Sequence, residues 1–94
     1  MALKTKTWDP AEYLDDPEAI AAYLDGAMED GDPSLIVAAL GDIARAKGMT
    51  QIARETGLTR EALYRALSEE GNPGFATVLK VIKALGLRLS TTAV

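Results

Sequence analysis

Arg60, Glu61, Tyr64 and Arg65 fall within six consecutive positions and carry side chains suited to reading a nucleic acid. An arginine can donate two parallel hydrogen bonds to O6 and N7 of guanine. A glutamate can accept from N4 of cytosine, or it can hold Arg65 one turn on as an i,i+4 pair. Tyr64 can reach a phosphate or pack on a thymine methyl. The plainer reading of the same residues is a solvated helix face with one charge pair. Around them, Thr50, Gln51, Thr59, Asn72, Thr77 and Lys80 are candidates for contacts to phosphate. Thr50 and Thr59 also serve as helix caps, and Lys80 and Lys83 serve equally as surface solubilisers.

Such side chains act only if a rigid frame presents them, and the stretch Met49 to Leu67 has the layout of one. Thr50 is placed to cap a short helix through Glu55. Gly57 stands where a tight turn needs a positive φ, which glycine adopts without a Cβ penalty. Thr59 is placed to cap a second helix whose first turn is Arg60, Glu61 and Ala62. Ile52, Leu58 and Leu63 fall on the inner side, and Ala53 is small where two helices must approach. A helix held this way can enter a major groove with its N-terminal residues toward base edges.

Three Asp-Pro steps, at Asp9-Pro10, Asp16-Pro17 and Asp32-Pro33, predict three further helix starts. In each, aspartate is a natural N-cap and proline a natural first residue. The predicted elements are a short turn over 10–14, a helix over 17–29 ended by Gly31, and a helix over 33–47 ended by Gly48. The 33–47 helix shows Leu35, Ile36, Ala39, Leu40, Ile43 and Ala44 at helical spacing. Gly71-Asn72-Pro73-Gly74 is a loop by turn chemistry. A last helix over 75–85 places Phe75, Val78, Leu79, Ile82 and Leu85 inward, with Gly86 as its cap. Residues 87–92 alternate and read as a short strand, a candidate edge for dimerisation. The fold class expected is therefore all-α, with five to six helices and a possible short C-terminal strand.

Ninety-four residues, 48% of them hydrophobic, suffice for one small domain with a modest core. Cysteine and histidine are absent, which removes disulfides, Cys or His zinc sites and Ser-His-Asp chemistry together. The carboxylate pairs Asp15-Asp16 and Glu69-Glu70 have no such partner and no glycine-rich phosphate loop nearby, so an enzyme, a metal site or a cofactor is not expected. No segment reads as a leader or a membrane span, and the compartment expected is the cytoplasm.

The net charge of −4 conceals a division. Residues 1–33 hold two lysines against nine acids, a net of −7, whereas residues 34–94 hold eight bases against five acids, a net of +3. The basic half suits phosphates, and the acidic half suits a basic protein and would be repelled by DNA. Lys4 and Lys6 are either an arm toward a DNA backbone or merely a solvated terminus. Trp8, Tyr13, Leu14, Tyr23 and Leu24 are either anchors in a partner's groove or the packing of the front helices onto the rest. A division into an acidic extension, residues 1–32, and a DNA-binding domain, residues 33–94, is expected.

From about Pro33 to Leu89 the sequence resembles the lambda-repressor-like (Cro-type) helix-turn-helix domain. The wider chain resembles the HigA-type addiction-module antidote proteins, the antitoxins encoded beside RelE/HigB-like toxins. The carrying segments are TWDPAEYL at 7–14, EAIAAYLDGAMEDGD at 18–32 and the run IARAKGMTQIARETGLTREALYRALSEEGNPGFATVLKVIKALGLRL at 43–89. Two positions depart from the pattern: Thr56 replaces a more usual apolar residue, and Ala66 is smaller than usual, leaving Leu67 to supply the packing. The resemblance implies a dimeric repressor of its own operator that also neutralises a toxin, with base contacts from Arg60, Glu61 and Arg65. Capture of a RelE/HigB-like toxin would fall to residues 8–32. A prophage-type regulator without a toxin, or a protein-interaction module that does not bind DNA, are the alternatives.

Overall fold

A computed structural model describes residues 16–68 and 70–94. Among these there are five α-helices and no strand: α1 Pro17–Asp30, α2 Pro33–Lys47, α3 Met49–Thr56, α4 Arg60–Ala66 and α5 Phe75–Ala84. The turn expected at residues 10–14 lies outside the described residues.

Two Asp-Pro steps start helices as expected. The Asp16 carboxylate accepts from the Ala19 amide at 2.7 Å, and the Asp32 carboxylate accepts from Ser34 at 3.0 Å. Each satisfies an amide that the helix itself leaves without a partner. Gly31, at φ 81°, ends α1 in the left-handed conformation that favours glycine. Gly48 serves two helices at once. Its N–H donates to Ala44 at 2.8 Å, closing α2, and its carbonyl accepts from Ile52 at 3.1 Å, opening α3. Gly48, rather than Thr50, is thus the first cap of α3, and Thr50 lies exposed inside the helix. The helix starts two residues earlier because Gly48, at φ 114°, lets the chain reverse immediately after α2.

One core joins all five helices. Ile20, Leu24 and Ala27 come from α1, Leu40, Ile43 and Ala44 from α2, Ile52 and Ala53 from α3, Leu63 from α4, and Val81 and Ile82 from α5. Helix α1 lies on α2, while α3 is packed between α2, α4 and α5. Leu67, just past α4, is also buried, so it does supply packing beside the small Ala66. It can do so because α2 has no side chain at Gly41: a Cβ there would stand 2.9 Å from the Leu67 carbonyl oxygen.

The periodicity of α5 gives the wrong inner row in part. Val78, Val81, Ile82 and Leu85 line the seam with the core, but Phe75 is 67% exposed and Leu79 40% exposed. The first set follows the i, i+3, i+4, i+7 stripe of a helix against a partner; Phe75 and Leu79 belong to the adjacent i, i+4 row. Leu35, expected inward on α2, is likewise exposed.

The expected strand over 87–92 is not formed. Instead Gly86, at φ 81°, reverses the chain, with Gly86 N–H donating to Lys83 at 2.9 Å and Leu87 N–H to Ile82 at 3.1 Å. This double closure is a Schellman motif, with its usual contact from the following apolar residue. Leu87 and Leu89 then lie half-buried against the core, and Leu87 and Leu89 share a groove with Leu24 and Met28 of α1. Alternation here serves helix contact, since among the described residues there is no strand to pair with. No described helix is long and apolar enough to cross a membrane.

Candidate nucleic-acid interface

Helices α3 and α4 are joined by an elbow of three residues, Gly57, Leu58 and Thr59. Gly57, at φ 80°, and Leu58 both donate their amides to the Ala53 carbonyl, at 3.0 and 3.1 Å. Thr56 reinforces this closure. Its buried hydroxyl donates to the same Ala53 carbonyl at 3.1 Å and accepts from the Leu58 amide at 3.4 Å. An apolar residue would fill the space, but the hydroxyl ties the turn to the end of α3 and leaves no buried polar atom unmatched. Thr59 then caps α4 as expected, its hydroxyl accepting from Ala62 at 3.0 Å. Below the elbow, Ile52 and Leu63 are fully buried and Ala53 nearly so, while Leu58 is half-buried. The small Ala53 permits the close crossing that its type predicted.

This rigid frame leaves Arg60, Glu61, Tyr64 and Arg65 exposed on the outer side of α4. Arg60 lies over the Tyr64 ring, its guanidinium carbon 5.6 Å from the ring centroid, and donates a long bond of 3.4 Å to the Tyr64 hydroxyl. The Glu61–Arg65 pair is not formed: among the described residues the ion pair is Arg45 with Asp42. Arg65 and Asn72 line one shallow cleft, together with Ala62, Ala66 and Pro73. The loop after α4 reaches this position through Gly71, where a Cβ would collide with the Ala66 carbonyl oxygen. The Gly-Asn-Pro-Gly signature marked a loop, but not this close return onto α4.

The remaining phosphate-contact candidates are dispersed. Thr50 and Gln51 are exposed at the start of α3, and the Gln51 amide donates along its own helix to Glu55 at 3.1 Å. Thr77 is half-buried. Lys80 is exposed but lines a different groove, with Glu55, Thr56 and Lys83, between α3 and α5.

Of the partner-anchor candidates, Trp8, Tyr13 and Leu14 lie outside the described residues. Leu24 is a core residue, 5% exposed. Tyr23 is half-buried and donates to the Asp42 carboxylate at 2.7 Å, so α1 is bonded to α2 through a polar contact that sequence reasoning missed. Burial, and then the bond to Asp42, pushes the Tyr23 phenol from 10.0 up to about 12. What α1 does present to solvent is acidic: Glu18, Asp25 and Glu29 are exposed at spacings that share one side, with the small Ala21 and Ala22 between them.

The comparisons with known proteins bear on the whole chain. A family model described as "Probable addiction module antidote protein" matches residues 4–93. A protein of Haemophilus influenzae, carrying the description "Uncharacterized protein", is 52% identical over 88 residues, which span 94% of this chain and 91% of that one. No solved structure matches. Matched by that family model over nearly its full length, the chain belongs to the family of probable addiction module antidote proteins.

Proposed function

We propose that this protein is an antitoxin that binds operator DNA as a dimer, represses its own operon and neutralises a RelE/HigB-like toxin. The observation that carries the DNA-binding part is the two-sidedness of α4. Leu63 and the adjacent Leu67 are locked in the core, while Arg60, Glu61, Tyr64 and Arg65 stand outward on a helix with no freedom to turn. In the helix-turn-helix reading, α4 enters the major groove, Arg60 and Arg65 donate to guanine edges, and Asn72 beside Arg65 takes a phosphate. Thr50, Gln51, Thr59 and Thr77 supply further backbone contacts, with Lys80 more distant.

The family description supports the antidote role, and the charge division supports a separation of labour. The acidic front, residues 1–32, takes a basic toxin; residues 33–94 take DNA. Folding is not divided in the same way, since α1 gives Ile20, Leu24 and Ala27 to the common core. A dimer follows from the small contact one seven-residue helix can make and from the two-fold symmetry of operators.

The test is a gel shift on the DNA upstream of the protein's own gene. Wild type shifts it at low salt, and Arg65→Ala weakens specific binding by about 1–3 kcal/mol. A wild type that shifts nothing, or an Arg65→Ala chain that binds as well, overturns the DNA-binding reading.

A further inference from the structure

Arg65 shares its cleft with a carboxylate. Glu70 lines the same shallow opening, together with Ser68 and Asn72, and is exposed. The backbone on either side of it is tied to the end of α4. The Ser68 hydroxyl donates to the Arg65 carbonyl at 2.9 Å, and the Gly71 amide closes a turn onto the Ser68 carbonyl, also at 2.9 Å. Gly71 in turn lies too close to the Ala66 carbonyl for any side chain to fit there. Glu70 is thus held beside the helix that carries Arg65. Its charge is not cancelled by a described neighbour, since among the described residues the ion pair is Arg45 with Asp42.

Arg65 has two possible uses on DNA, and they differ in charge. A phosphate is a full anion and is present at every step of any duplex. The O6 and N7 edge of guanine carries no net charge and is present only in certain sequences. A carboxylate beside Arg65 repels the first far more than the second. From this juxtaposition we infer that Glu70 is a specificity-determining residue for DNA. It keeps backbone phosphate from the Arg65 guanidinium and leaves that group for a base edge. The inference rests on the operator reading of α4 and adds to it the means by which non-specific duplex is refused.

The charges around Arg65 agree. Arg60 and Arg65 are exposed on α4, and the exposed acids Glu61 and Glu70 offset them, so these four charges sum to zero. Residues 34–94 as a whole carry +3. A reading face balanced in this way draws non-specific DNA weakly, because phosphate attraction supplies essentially all of that binding. A phosphate taken by Asn72 is common to specific and non-specific complexes, so it leaves the ratio of their affinities unchanged.

Fluorescence anisotropy on the full chain tests the inference with two labelled duplexes of equal length. One is the DNA upstream of the protein's own gene, and the other has the same bases scrambled. Glu70→Gln should tighten binding to the scrambled duplex by about three- to tenfold, the effect of removing one like-charge contact at a water-facing site. It should also make that binding fall more steeply with salt. Affinity for the upstream duplex should change by less than about twofold, because there Arg65 meets a base edge. Glu70→Asp, which keeps the charge, should behave as wild type. Melting curves of both variants should match wild type, since the side chain is exposed. A Glu70→Gln chain whose preference between the duplexes is unchanged overturns the inference, while the operator reading stands on the wild-type preference. Loss of binding to the upstream duplex in Glu70→Gln overturns it too, since the carboxylate would then be a contact and not a repulsive element. A wild type with no preference between the duplexes overturns the operator reading and this inference together.

Discussion

The Arg60 guanidinium lies over the ring of Tyr64, one turn along α4, with its central carbon 5.6 Å from the ring centroid. An exposed cation–π contact of this kind contributes only about 0.5–1 kcal/mol, so it orients the arginine without trapping it. Arg60→Ala should therefore lower thermal stability very little while weakening operator binding by about 1–3 kcal/mol. Tyr64→Phe keeps the ring and should retain most of the binding. Paired melting curves and gel-shift titrations decide the matter; a large stability loss with unchanged binding would make the pair a structural one.

A close approach between α2 and the end of α4 brings Gly41 against the carbonyl of Leu67. Alanine normally favours a helix interior over glycine by about 1 kcal/mol. At this position its Cβ would stand 2.9 Å from backbone oxygen, which cannot move aside as a flexible side chain could. Gly41→Ala should thus destabilise, by about 1–3 kcal/mol in urea unfolding, as overpacking does. Operator binding should fall with it, because Leu67 anchors the end of the helix that carries Arg65.

Gly26 and Gly57 make a contrasting pair. Gly26 lies inside α1 with open space where a Cβ would go, whereas Gly57 holds φ 80° at the elbow. Gly26→Ala should stabilise by about 0.4–1 kcal/mol, chiefly by restricting the unfolded chain. Gly57→Ala should destabilise by about 1–2 kcal/mol, the cost of a side chain in the left-handed region. Chemical denaturation of the two variants side by side reads the difference in sign.

The bond from Tyr23 to Asp42 makes stability sensitive to alkali. Burial, then the hydrogen bond, holds the folded phenol at about 12, above its ordinary 10.0. The folded state therefore prefers the protonated form. That contribution is complete below pH 10, and it is lost as the pH rises toward 12. Ultraviolet titration should show one tyrosinate forming near pH 12, absent in Tyr23→Phe. At neutral pH the same variant should lose about 1 kcal/mol, the usual net value of an internal hydrogen bond.

Much of the local architecture could be read from the chain alone. Asp16, Asp32 and Thr59 cap helices, and Gly31, Gly48, Gly57 and Gly86 turn the backbone where their types indicated. The outward placement of Arg60, Glu61, Tyr64 and Arg65 was equally legible, because caps and helical period act within a turn or two of the residues that encode them. Other features waited on contacts between segments far apart in sequence. Which of two apolar rows on α5 meets the core depends on where α2 and α3 lie, and that leaves Phe75 and Leu79 outside. Whether residues 87–92 become a strand depends on a neighbour to pair with, and α1 offers Leu24 and Met28 instead. The tertiary structure alone decided that Gly41 admits Leu67 and that Tyr23 is bonded to Asp42. These two rest on distances between chain segments, and such distances are set by how the whole core closes.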